Sequence, residues 1–76
     1  MDNFLDGWKE FMKSKHELNV ISYKYVYNEI YGTYLFLDDD NIIGMNFEAG
    51  YPYDVADYDL LSNDKTKIKT LGSTLV

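Results

Sequence analysis

The sequence predicts an α+β fold: an N-terminal amphipathic helix packed on a small antiparallel sheet of about three to five strands. Three observations predict it. Residues 3–16 carry an apolar stripe at helical spacing. The residues after them form short β-branched and aromatic runs. Those runs are separated by clusters of Asn, Asp and Gly, which favour turns.

Phe4, Leu5, Trp8, Phe11 and Met12 fall at i, i+1, i+4, i+7 and i+8, so they share one face of a helix. Asp2 or Asn3 is placed to cap its start. Asp6 lies near the positive end of the helix dipole, and Lys13 and Lys15 lie near the negative end. Gly7 is unfavourable inside a helix by about 1 kcal/mol against Ala, which calls for a close packing contact there. Val20 to Tyr27 is the first expected strand, with Ile21, Tyr23, Tyr25 and Tyr27 on one face and Val20, Ser22, Lys24 and Val26 on the other. Asn28 to Gly32 forms a loop. Thr33–Leu37 and Ile42–Phe47 are the second and third strands, joined by a turn at Asp38-Asp39-Asp40-Asn41, and the three form a meander over residues 20–47. Glu48 to Pro52 is a second turn, with Pro52 at an edge or outside the sheet because it cannot donate a ladder hydrogen bond. Tyr53 to Leu61 reads as an irregular strand or an extended edge, and Asn63-Asp64 breaks the chain again. The tail, residues 65–76, alternates like an edge strand from Lys65 to Thr70, yet Ile68, Leu71 and Leu75 also fit a short helix. Its Thr content and Gly72 favour a strand followed by a loose end.

With 76 residues the chain is expected to be a single domain, residues 1–76. A domain of this size buries only about 60% of the surface its unfolded chain exposes. Disulfides cannot reinforce it, because there is no cysteine, and a single histidine cannot complete a structural zinc site. Eight Tyr, four Phe and one Trp compensate, since each buried aromatic removes roughly 150–250 Å² from water. The start, Met1 to Asp6, lacks the basic and apolar regions of a signal peptide and is expected to be the beginning of a complete small gene product. No stretch approaches the ~20 apolar residues of a membrane span. A cysteine-free chain suits a reducing cytoplasm, which is the expected location.

Net charge is −6, and its distribution is uneven. Through Lys24, four lysines balance four acids. From Tyr25 to Asp64 there are nine carboxylates and no Lys or Arg; Lys65, Lys67 and Lys69 then follow without an acid. So negative a block repels nucleic acid and anionic lipid and favours a cationic protein surface, so neither a membrane nor direct nucleic-acid binding is expected. The run Asp38-Asp39-Asp40 fails as an EF-hand loop in either register. Ile43 or Ile42 falls where an oxygen ligand is needed, and Gly50 falls where the bidentate Glu belongs. It reads instead as a solvated hairpin turn and a secondary acidic site. His16 sits at the expected helix end, where a positive charge meets the dipole favourably. No cysteine can act as a nucleophile, no serine has a nucleophile-elbow context, and the glycines form no phosphate-binding loop. Neither catalysis nor a cofactor or metal is expected.

The stretch from Tyr51 to Asp64 is the candidate binding edge. Tyr51, Tyr53 and Tyr58 interleave with Asp54, Asp57, Asp59 and Asp64. Tyrosine supplies rigid contact area with a polar tip, and carboxylates pair with arginine. On a strand, alternate carboxylates stand about 6.6 Å apart, a row resembling a phosphate backbone. A nucleic-acid-binding protein would meet such a row with its own Lys and Arg. The bland alternative is a solvated edge whose charges block aggregation. No motif places the chain in a named family. Its general character resembles that of phage-type anti-defence proteins, DNA mimics and immunity proteins that neutralise basic toxins. The expected function is therefore a small acidic inhibitor covering a basic surface on a larger partner, such as a nuclease. The alternative is a homodimer formed through the aromatic sheet face, which a thin core would favour.

Overall fold

A computed structural model of the chain describes residues 3–26, 29–47 and 55–72. Helix α1 spans Asn3–His16, and five strands follow: β1 (Val20–Tyr25), β2 (Thr33–Leu37), β3 (Ile42–Phe47), β4 (Val55–Leu61) and β5 (Lys67–Gly72). They form one antiparallel sheet in the order β1-β2-β3-β4-β5, a complete meander. Every neighbouring pair is therefore adjacent in sequence, which keeps connections short. The predicted helix and the first three strands are present, and the α+β class is as the sequence implies.

The helix lies on one face of the sheet. Trp8 and Met12 are buried from its stripe, with Leu5 and Phe11 partly buried beside them. They meet Val20, Leu35, Leu37, Ile43, Met45 and Tyr58, which come from four successive strands. The helix ends where Glu17 turns left-handed at φ 59°. Its N–H donates to the Lys13 carbonyl at 3.1 Å, and the Leu18 N–H donates to the Met12 carbonyl at 3.1 Å. Glycine is the usual residue for such a terminus. The packing contact expected at Gly7 is missing. Gly7 is exposed, and a Cβ there would meet nothing within 4 Å among the described residues.

Strand β1 departs from the alternation its sequence suggests. Val20 pairs with Leu37, but Ser22 pairs with Phe36, so Ile21 is the extra residue of a bulge. The bulge shifts the phase. Val20 and Tyr23 both pack toward the helix, and Ile21 is left 57% exposed. The expected grouping of Ile21 with Tyr23 and Tyr25 is therefore corrected. Tyr27 lies outside the described residues.

Strand β4 corrects a larger expectation. It is no edge: it lies between β3 and β5, and Tyr58 and Leu61 on it are fully buried. The edge is β5, so residues 67–72 of the tail are strand and not helix. Two bulges distort β5, opposite Tyr58/Asp59 and Leu60/Leu61, and Ile68 is half exposed there. The Glu48–Pro52 turn, the Asp2 cap and the expected loose end beyond Gly72 lie outside the described residues. Among the described residues, no helix is long and apolar enough to cross a membrane.

Candidate functional site

The structure disperses the Tyr/Asp stretch. Tyr51, Tyr53 and Asp54 lie outside the described residues. Asp57 is exposed on β4. Tyr58 is 1% exposed and belongs to the helix-side core, so it cannot be the surface aromatic that the sequence suggested. Asp59 is 8% exposed and points to the opposite side. Its carboxylate accepts the Tyr31 hydroxyl at 2.6 Å and lies 3.9 Å from Lys67 Nζ. Asp64 shapes the β4–β5 turn: it accepts bonds from the Ser62 hydroxyl and the Thr66 N–H, which hold its carboxyl below the usual range. Among the described residues of β4, Asp57 alone is an exposed carboxylate, and Asp59 is held by Tyr31 and Lys67. Alternation sends Tyr58 and Asp59 to different faces, and β5 supplies a lysine to the second of them.

Folding also alters the charge pattern. The block from Tyr25 to Asp64 is free of bases only in sequence. Strand β5 returns beside β4 and brings Lys67 to Asp59, while Lys65 reaches Glu29 at 3.2 Å. What stays open is one end of the sheet. The α1–β1 connection, the β2–β3 turn and the β4–β5 turn all fall there, since the strands alternate in direction. They place Glu17, Asp38, Asp39, Asp40 and Asp64 at that end, all exposed, while Lys65 and Lys67 from the β4–β5 side of the same end are directed to Glu29 and Asp59. The two turns lie two strand spacings apart, roughly 10 Å. The Asp38–Asn41 turn is well braced. The Asp38 N–H donates to the Asn19 carbonyl at 3.1 Å, Asn19 Nδ2 donates to Asp38 Oδ2 at 3.2 Å, and the Asn41 N–H donates to Asp39 Oδ1 at 3.0 Å. Asp40 takes the left-handed conformation (φ 71°) that short polar residues tolerate. The two ion pairs among the described residues use Glu29 and Asp59 instead of these five acids.

The sheet face opposite the helix holds a second constellation, which sequence reasoning missed. The segment 29–32 folds back across this face. Tyr31 lays its ring on Gly44, where a Cβ would come within 2.6 Å of Tyr31 Cγ. Only glycine leaves that space on β3. A lone glycine inside a strand was the available signal, because it marks close approach of another group. Tyr34, Ile42 and Leu61 are buried beneath, with Val26, Tyr31 and Phe36 packed around them. Two phenols donate to carboxylates here: Tyr31 to Asp59, and Tyr34 to Glu29 Oε1 at 2.8 Å. Burial first, and then these bonds to negative acceptors, push both phenols up to about 12. The Tyr34 bond and then the Lys65 bond hold Glu29 below the ordinary carboxylate range.

His16 sits where expected, at the helix end, but not in the expected state. Its Nε2 is 3.0 Å from the Tyr58 hydroxyl, and its ring stands edge-on to Phe11 and Tyr58. Burial, and then the charges of Lys15 and Lys69, lower its pKa, which outweighs the attraction of the helix dipole for a cation. A groove of about 440 Å³ runs between Asp6, Lys9, Glu10 and Lys13 of the helix and the segment from Leu18 to Val20. Its charged lining residues alternate in sign along the helix. Among the described residues, no group of three His, Cys, Asp or Glu is placed to hold a metal ion.

The fold and surface define a class: a cysteine-free acidic α+β domain with one charged sheet end and a tyrosine–carboxylate face. Compared with known proteins, the chain matches no family model, no curated protein and no solved structure.

Proposed function

We propose that this protein is an acidic binding module that covers a basic surface on a larger partner, such as the nucleic-acid-binding face of a nuclease. The role is binding rather than catalysis, and a cysteine-free chain suits it to the cytoplasm. The observation that carries the reading is the acidic sheet end, where Glu17, Asp38, Asp39, Asp40 and Asp64 stand exposed on a chain of net charge −6. Carboxylates on rigid turns attract a cationic partner from a distance and lose little entropy on contact. Of the expected Tyr51–Asp64 residues, Asp64 belongs to this end and Asp57 is exposed on β4, whereas Tyr58 and Asp59 are buried.

The test is titration against a panel of basic nucleases and other nucleic-acid-binding proteins at several salt concentrations. Association should weaken steadily as salt rises. Replacing Asp38, Asp39 and Asp40 together by Asn removes three charges and keeps an acceptor oxygen for the Asn41 N–H. That variant should bind about tenfold more weakly. Binding unaffected by salt and by the triple substitution, or no binding anywhere in the panel, would overturn the proposal.

A homo-oligomer is the second reading. It draws on Ile21 and Tyr25, which are 57% and 55% exposed on the edge strand β1. Bulges on both edge strands oppose simple strand addition. A strict monomer down to low micromolar concentration in sedimentation would end this reading.

A further inference from the structure

The recess beside segment 29–32 already holds a cation. It has a volume of 320 Å³ and is lined by Glu29, Ile30, Tyr31, Tyr34 and Lys65. Lys65 Nζ lies 4.6 Å from the centre of the Tyr34 ring and 3.2 Å from Glu29 Oε1. An aromatic face and a carboxylate acting on one ammonium are the elements of organic-cation recognition. Both elements are fixed before any ligand arrives. Tyr34 is 3% exposed, its hydroxyl holds Glu29 Oε1 at 2.8 Å, and Tyr31 stands edge-on to it at 6.1 Å. At the rim is Ile30, 84% exposed, an apolar side chain placed to receive the aliphatic stem of a long basic residue.

We propose that this recess is a docking site for an arginine side chain of a protein partner, and that Lys65 is an internal stand-in which the incoming guanidinium displaces. Displacement is easy because the Lys65–Glu29 pair is open to water, with side chains 46% and 38% exposed, and open pairs hold weakly. A guanidinium gains more than the ammonium it replaces. It is planar, so it stacks on the Tyr34 ring, and it forks across Oε1 and Oε2, whereas Lys65 uses Oε1 alone. Lys65 also occupies a turn position at φ 70°, where a long L side chain is not the low-energy choice. The site shares the β4–β5 turn with the acidic sheet end through Lys65, but its recognition of arginine rests on Glu29 and Tyr34 and does not depend on the function proposed above.

The experiment titrates N-acetylarginine amide into isotope-labelled wild-type protein and into Lys65→Asn, following chemical shifts. Asn suits the left-handed turn and is too short to reach Glu29; Lys65→Gly repeats the test with no side chain at all. Shifts should centre on Ile30, Tyr31 and Tyr34, and both variants should bind about three- to fivefold more tightly than wild type. Adding Glu29→Gln to Lys65→Asn should weaken binding about fivefold. N-acetylcitrulline amide, with the same shape and no charge, should not bind. The proposal is overturned by absence of shifts at Ile30 and Tyr34 through the millimolar range in folded Lys65→Asn and Lys65→Gly. Equal affinity of wild type and both variants, or citrulline binding as well as arginine, overturns it equally. A small-molecule probe makes this outcome independent of the nuclease panel.

Discussion

The helix face of the sheet is sealed mainly by apolar volume: Trp8 and Met12 descend onto Leu35, Leu37, Ile43 and Met45, with the hydrogen bond between His16 and Tyr58 beside them. Among the described residues, no helix covers the opposite face. There a short segment closes the sheet with one tyrosine ring, seated on Gly44 and fastened through its hydroxyl to Asp59. The first solution is non-directional and tolerant of rearrangement. The second is directional: it works only while glycine leaves space for the ring and a carboxylate waits at the right distance. Among the described residues one helix lies over five strands, and it covers a single face. The loop face is what remains, and it accepts charged and aromatic groups that the helix face could not.

Substitutions can break this contrast. The largest effect is expected on the helix face. Met12→Ala leaves a cavity under fully buried neighbours and should cost about 2–5 kcal/mol in denaturant titration. A change near zero would mean that the helix does not seal that face. Next is Gly44→Ala. Its methyl group would meet the base of the Tyr31 ring, which must lift off the sheet, at about 1–3 kcal/mol. In a double-mutant cycle, Tyr31→Ala should remove most of the penalty at Gly44, and strict additivity would show that the ring does not rest there. On the solvent side of the helix the sign reverses. Gly7→Ala should stabilise by about 1 kcal/mol, since the methyl group meets no neighbour and helix propensity improves. A loss on this substitution would reveal a contact at Gly7 after all.

The smallest effect is a difference between tyrosines at alkaline pH. Tyr58, on the helix face, is raised by burial alone, whereas Tyr31 and Tyr34 add carboxylate partners and rise to about 12. A raised folded pKa favours the protonated form in the native state. The stabilisation is therefore complete below the unfolded value of 10.0 and disappears as pH climbs through about 12. Following phenolate absorbance with pH should show Tyr31 and Tyr34 as late titrations, and Tyr34→Phe should remove one of them. If all the phenols of the folded protein titrate together near 10, the two faces do not differ in this way.

The helix, the first meander and the turn at Asp38–Asn41 were legible in the sequence, because each depends on local spacing and local turn chemistry. The helix period fixes which side of α1 is apolar, and Asp-Asp-Asp-Asn favours a left-handed turn whatever surrounds it. Three decisions needed the tertiary structure. The bulge at Ile21 put Val20 on the face of Tyr23 and left Ile21 off it, because register follows pairing with β2 and not the pattern of one strand. The return of β5 made β4 an interior strand, which buried Tyr58 and gave Asp59 a lysine, and no local signal records which strand will lie alongside. The seating of Tyr31 on Gly44 joined residues far apart in the chain into the tyrosine–carboxylate face. The base-free acidic run is a property of the sequence alone. Which of its carboxylates face solvent without a lysine beside them depends on long-range pairing, and that is where sequence reasoning stops.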